Sequence, residues 1–246
     1  MIPKIIHFCW LSGDKYPSKI SYCISTWNKI IPDYKFVLWD WNKCKEENIL
    51  NDWVKEAFLK KKYAFAADFV RLYAVYKYGG IYLDSDVEVI KRFDELLQLP
   101  YFIGKEAIGN RLEIAAFGAE KNCEWIKHVL DYYDGRHFVN PDGSLDMKVM
   151  PDIIYETINK NYTFANVSTI KDFVHDKSTF NVFPSHWFCA HVCLNGADKP
   201  SFIISKETFC VHHFANSWLK RNRIKKILLH IINSIYSLID KLKKLK

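Results

Sequence analysis

The chain has 246 residues, 49% hydrophobic, 16% aromatic and 26% charged, a balance that fills one fairly large core and excludes intrinsic disorder. No run of about 18 apolar residues occurs, which excludes a transmembrane helix. The formal net charge of +7 is unevenly placed: residues 219–246 carry nine Lys/Arg and one acid, so the preceding 218 residues are close to neutral and lack the basic face of a nucleic-acid binder.

In chain order, residues 4–8 read as a buried strand, followed by a loop with Gly13 and Asp14. A helix is expected over 17–31, with Pro17 in its first turn and Pro32 beyond its end. A second strand covers 34–39, and two short helices fill 42–59. Phe65, Phe69, Leu72 and Tyr76 fall at helical spacing within 63–78, and Gly79-Gly80 stops that helix. A short strand at 81–83 runs into Asp84-Ser85-Asp86. Further strands are expected at 101–104, 113–118 and 209–214, and helices near 123–133 and 151–159. Strands alternating with helices predict an α/β layer fold with a mostly parallel sheet. Two units are expected: a globular domain over 1–218 and a basic tail helix over 219–246. The residues after Met1 lack the ordered basic, apolar and small-residue regions of a secretory leader. With seven scattered cysteines, an odd number, this leads to the expectation of a reducing, cytoplasmic setting.

Three local patterns carry chemistry. In Gly79-Gly80-Ile81-Tyr82-Leu83-Asp84-Ser85-Asp86, an extended strand sends the carboxylates at i and i+2 to one side, where a divalent cation such as Mg²⁺ or Mn²⁺ relieves their repulsion. A bare D-x-D is equally a pair of solvated loop acids. Asp68 and Arg71 share one helix face, either as a surface ion pair or as a polar pair gripping sugar hydroxyls. Val211-His212-His213-Phe214-Ala215-Asn216-Ser217-Trp218 offers a neutral metal ligand, hydrogen-bonding groups and an aromatic wall. The segment His186-x-x-Cys189-x-His191-x-Cys193 is too tight for the usual zinc pairings and reads as aromatic packing.

Taken together, Ile2-Pro3-Lys4-Ile5-Ile6-His7-Phe8-Cys9-Trp10, Ala67-Asp68-Phe69-Val70-Arg71, the Gly-Gly-to-Asp-Ser-Asp run and His212-His213 with Ser217-Trp218 resemble the glycosyltransferases with a DXD sugar-binding region, the group of the yeast outer-chain initiation mannosyltransferase and many bacterial capsule enzymes. The likeness is dense over 1–90 and returns at 209–218. It implies a GT-A fold and retaining transfer of a sugar from a nucleotide diphosphate sugar, with UDP-hexose favoured, helped by Mn²⁺ or Mg²⁺. By position it implies that Phe8 and Trp10 face the nucleotide, with Trp10 stacked on the base. Asp68, Arg71 and Asp84 would hold the donor sugar and ribose, and Asp86 would ligate the metal with His213 and Asn216. Ser217 and Trp218 would lie over the diphosphate. Alanine stands at 115–116, where the family often has an asparagine. Glu88, Glu106 and Glu113 are further carboxylates near the motif, none of them assigned as a covalent nucleophile.

In the tail, Ile224, Ile227, Leu228, Ile231, Ile232, Ile235, Leu238, Ile239 and Leu242 keep helical spacing between basic clusters, as in an amphipathic helix lying on an anionic membrane. The partners expected are thus a nucleotide-sugar donor, a glycan or lipid-linked acceptor and the inner membrane face, without nucleic acid. Two alternatives remain: a haloacid-dehalogenase-like phosphatase, which wants Thr or Val where Glu88 stands, and a non-catalytic sugar-binding protein of transferase ancestry.

Overall fold

A computed structural model describes residues 1–106, 111–189, 191–193 and 201–215; the expected tail helix, Asn216, Ser217 and Trp218 lie outside the described residues. In chain order the elements are β1 (Ile5–Cys9), α1 (Ser18–Ile30), β2 (Lys35–Trp39), α2 (Trp41–Glu46), α3 (Asp52–Leu59), α4 (Tyr63–Tyr78), β3 (Gly80–Leu83), β4 (Val87–Val89), β5 (Tyr101–Lys105) and β6 (Leu112–Ala119). Then follow α5 (Glu124–Asp131), α6 (Met150–Asn161), β7 (Thr163–Asn166), β8 (Thr179–Val182), α7 (Ser185–Phe188), β9 (His191–Cys193), β10 (Ser201–Ile203) and β11 (Cys210–His212).

The central sheet has the order β2-β1-β3-β6-β5. β1 pairs in parallel with β2 and β3, while β6 runs antiparallel to both β3 and β5. Four strands share one direction, as the mostly parallel reading expects, and β6 alone runs against them. Chain length between strands explains this. Helices separate β1, β2 and β3 and return the chain to the same edge, whereas β5 and β6 are close in sequence and pair antiparallel.

α4 packs against β1, β3 and β6. Its buried set (Phe65, Ala66, Ala67, Asp68, Val70, Arg71, Leu72, Ala74, Val75) covers most of its circumference, so it is an internal helix that carries two charged residues inward. Its end is fixed by backbone geometry. Gly79 has φ 65° and its N–H donates to the Val75 carbonyl. Gly80 has φ 112°, and a Cβ there would stand 2.7 Å from the Ile5 carbonyl oxygen. Only glycine lets β3 pair so closely with β1.

Beside this turn, Trp39 Nε1 donates to His7 Nδ1 at 3.1 Å, and His7 Nε2 donates to the Gly79 carbonyl at 2.9 Å. The buried His7 ring is thereby neutral with its proton on Nε2, and burial pushes its pKa down to about 4.

Beyond β6, Tyr101, Trp125, Phe173 and Phe180 pack into an aromatic layer over β7 and β8. Phe183, Trp187 and Phe188 are buried, with Phe183 and Trp187 stacked at 4.8 Å, which supports the aromatic reading of that segment. Cys9, Cys23, Cys44, Cys123, Cys189 and Cys210 are free thiols. Among the described residues no helix is long and apolar enough to cross a membrane.

Candidate active site

Regular pairing of β3 ends at Leu83, and residues 84–86 form a tight turn in which Val87 N–H donates to the Asp84 carbonyl at 2.9 Å. The extended course of the strand is therefore broken before Glu88. Glu88 accepts from the Tyr22 hydroxyl at 2.6 Å and meets His213 Nε2 at 2.7 Å, away from the DXD carboxylates. Asp84 and Asp86 nevertheless stay together, because the turn is pinned on both sides. Ala115 carbonyl accepts from Asp84 N–H at 2.7 Å, and Asp86 Oδ2 accepts from Ala215 N–H at 2.8 Å.

The pinning on one side comes from an irregularity in β6. Ile103 pairs with Phe117 but Gly104 pairs with Glu113, so residues 114–116 bulge away from β5. A bulge re-aims backbone and side chains. Here the Ile114 carbonyl accepts from Arg71 Nη1 at 3.2 Å, the Ala115 carbonyl takes Asp84 N–H, and Glu113 points to the same cavity.

Arg71 is 5% exposed, and the pair it forms with Asp68 is buried, which rules out the surface ion pair. Nη2 lies 3.2 Å from Asp68 Oδ1, and Nη1 lies 3.4 Å from Asp84 Oδ1. The guanidinium sits 4.7 Å over the Tyr82 ring, whose hydroxyl donates to Asp84 Oδ1 at 2.8 Å. Burial, with Asp84 nearby, pushes the Asp68 carboxyl up to about 7 against the pull of Arg71.

The histidine beside the DXD carboxylates is not the one expected to ligate a metal. Antiparallel pairing of β11 with β4 sets Val211 opposite Glu88 and His212 opposite Val87. Side chains alternate, so His213 shares a face with Glu88, and His212 turns to the opposite face. His212 Nε2 is 3.6 Å from Asp86 Oδ1, and His212 Nδ1 is 3.3 Å from Glu113 Oε1. The structure thus brings His212, and not the expected His213, beside Asp84 and Asp86, and sets His213 against Glu88. Ligand atoms of Asp84, Asp86 and His212 all lie within 4.8 Å of one another, the one such group among the described residues. Burial lowers the His212 pKa, but Glu113, Asp86 and Asp84 outweigh it and raise it to about 9.

These residues floor a cavity of about 560 Å³ lined by Trp10, Asp68, Arg71, Asp84, Asp86 and His212. Trp10 is fixed there by an indole N–H bond to the Asp14 carbonyl at 2.7 Å and an edge contact with Tyr16. Phe8 is not part of it. One residue before Cys9 on β1, its side chain points to the opposite face and meets Trp27 edge-on at 5.2 Å. Glu106 and Glu113 also line the cavity, and burial beside Glu113 pushes Glu106 up to about 7. Burial raises the Glu113 carboxyl, but His212 and Cys189 more than reverse this and hold it below the ordinary range.

The donor set fits a divalent cation. Two carboxylates and an imidazole converge at ion-sharing distance inside a cavity with further acids, and oxygen donors with one nitrogen suit Mn²⁺ or Mg²⁺. Sequence reasoning gave Tyr82 no role of its own and named Glu113 only as a further carboxylate near the motif. Tyr82 lay within the quoted motif, but Glu113 is brought in by the bulge, which carries no local signature.

The family described as "Glycosyltransferase sugar-binding region containing DXD motif" matches residues 17–103, which include Asp68, Arg71, Asp84 and Asp86. Inositol phosphoceramide mannosyltransferase 3 of Schizosaccharomyces pombe is 37% identical over 108 residues, 42% of this chain and 29% of that protein. The matched segment therefore spans less than a third of that relative. An uncharacterized glycosyltransferase, L373, of Acanthamoeba polyphaga mimivirus is 36% identical over 199 residues, 74% of this chain and 76% of that protein. The solved PaToxG glycosyltransferase superposes with a TM-score of 0.49 at 22% identity, covering 65% of this chain and 68% of that one. With a relative aligned over three quarters of both lengths and the motif-bearing segment matched, the chain belongs to the glycosyltransferase family with a DXD-containing sugar-binding region.

Proposed function

We propose that the chain transfers a sugar, with retention of anomeric configuration, from a nucleotide diphosphate sugar to a glycan or lipid-linked acceptor in surface polysaccharide or glycolipid synthesis. The observation that carries this reading is the convergence of Asp84, Asp86 and His212 beside the buried Arg71–Asp68 pair in one cavity. Asp86 and His212 would hold the cation, with Asp84 bridging it to the sugar side. A cation bound there would neutralise the negative charge that builds on the departing diphosphate. Arg71, fixed by Asp68, Asp84 and the Ile114 carbonyl, offers a rigid donor for sugar hydroxyls. Trp10 presents its ring to the nucleotide base.

UDP-hexose is our proposed donor. The relatives named as mannosyltransferases of inositol phosphoceramide support a hexosyl group and a lipid acceptor, and keep a mannosyl nucleotide in the test. Residues 219–246, outside the described residues, are proposed to hold the enzyme on the inner face of an anionic membrane. Deleting them should abolish flotation with anionic vesicles, and unchanged flotation would refute this part.

The test of the reaction is a panel of UDP- and GDP-hexoses with and without Mn²⁺, followed by product release and by the anomeric NMR signal of the product. Mn²⁺-dependent turnover of one donor with a retained anomer supports the reading. Turnover of simple phosphate esters instead would favour the phosphatase, and no turnover of any donor a binding protein.

A further inference from the structure

Glu113 is charged, 2% exposed and lies outside every motif of the sequence. It sits on β6 at the start of the bulge, where the register shift turns its side chain from β5 toward the DXD turn. Its Oε1 accepts from Ala115 N–H at 2.9 Å, which ties the carboxylate to the same bulge that receives Asp84 N–H. The same Oε1 lies 3.3 Å from His212 Nδ1, a buried nitrogen without an aligned hydrogen bond, while Nε2 of that ring lies 3.6 Å from Asp86 Oδ1.

We infer that Glu113 is a positioning residue: it holds the proton of His212 on Nδ1 and so presents the Nε2 lone pair to a cation shared with Asp84 and Asp86. A ligating histidine needs its other ring nitrogen oriented, and a buried carboxylate does this while making the ligand more basic. The inference rests on the proposed cation site and adds a member to it. It also gives a reason for a charged residue at the foot of a bulge: alanine fills 115–116, so Glu113 supplies polar chemistry from this strand by acting through His212 instead of touching the sugar.

The test is Mn²⁺ affinity of the full chain without donor, read from the free-ion electron paramagnetic resonance signal, for wild type, Glu113→Gln, His212→Gln and the double variant. Gln keeps the acceptor for Ala115 N–H and the volume, and thermal unfolding in EDTA checks that each variant is folded. The expected result is a loss of about 10- to 100-fold for Glu113→Gln, with the double variant no weaker than His212→Gln alone. If Glu113→Gln fails to fold, Glu113→Asp, which keeps the charge and draws it back from Nδ1, takes its place with the same expectation. Wild-type affinity in the Glu113 variant, or losses that multiply in the double variant, would overturn the inference. Asp86→Asn separates this from the wider reading: a Glu113 variant that binds normally while Asp86→Asn does not sinks only the role of Glu113. Mn²⁺ binding undiminished in Asp86→Asn sinks the cation site itself.

Discussion

Arg71 Nη1 lies 3.4 Å from each carboxylate oxygen of Asp84, so a side chain from the middle of α4 is bonded to the first acid of the DXD turn. The other end of the same guanidinium holds Asp68 at 3.2 Å. One buried cation thus couples the helix to the strand end and sets where Asp84 stands. Arg71→Lys keeps the charge but loses the planar fork, so transfer is expected to fall at least about 100-fold while the fold survives. Arg71→Ala leaves the buried Asp68 and the half-buried Asp84 without their cation and should cost about 3–5 kcal/mol in urea unfolding. Rates within a few-fold of wild type for Arg71→Lys would contradict this account of the pair.

The His7 ring gives a pH dependence with a definite sign. It is neutral in the fold, with a pKa of about 4 against the ordinary 6.5. The unfolded chain therefore takes up this proton first as pH falls. The stabilisation is complete above pH 6.5 and is lost as pH drops from 6.5 through 4, by about 2–3 kcal/mol between pH 7 and 4.5. Denaturant midpoints of wild type and His7→Gln should converge over this interval. A constant difference between them would show that His7 does not titrate in this way.

Gly80 allows β3 to run against β1 only because it has no side chain. With φ at 112° and a Cβ position 2.7 Å from the Ile5 carbonyl oxygen, Gly80→Ala combines backbone strain with a clash on an immovable atom. A loss of about 2–4 kcal/mol is expected in thermal or urea unfolding. A loss under about 0.5 kcal/mol would mean that the β1–β3 register can shift freely.

Much of this was legible in the sequence, and the limits have physical causes. α4 was read at its observed ends because its apolar spacing is regular and Gly79-Gly80 marks the stop. β1, β2 and β3 were visible as apolar runs, but β4 was not, since Val87-Glu88-Val89 is three residues long and follows an acidic turn. Asp68, Arg71, Asp84 and Asp86, which the motif singled out, line one cavity. The choice between His212 and His213 depends on which face of β11 meets β4, a tertiary pairing that two adjacent histidines do not encode. Phe8 fell on the wrong side of β1 for a related reason: the strand buries both faces, so apolar character does not separate cavity from core.

Trp10 lines the cavity and is held there by Asp14 and Tyr16. Its removal should separate nucleotide binding from ion binding. Trp10→Ala is expected to weaken binding of the donor nucleotide about 10- to 100-fold, the worth of one stacked base, and to leave Mn²⁺ affinity unchanged in calorimetry. Unaltered nucleotide affinity would remove Trp10 from the donor site.

The most direct measurement is anomalous diffraction at the manganese edge from crystals soaked with Mn²⁺ and the donor. The account predicts one strong peak between the carboxylates of Asp84 and Asp86 and the Nε2 of His212, lost in Asp86→Asn crystals of unchanged fold. A peak held by His213 and Glu88, or none at all with Asp86 turned outward, would contradict it.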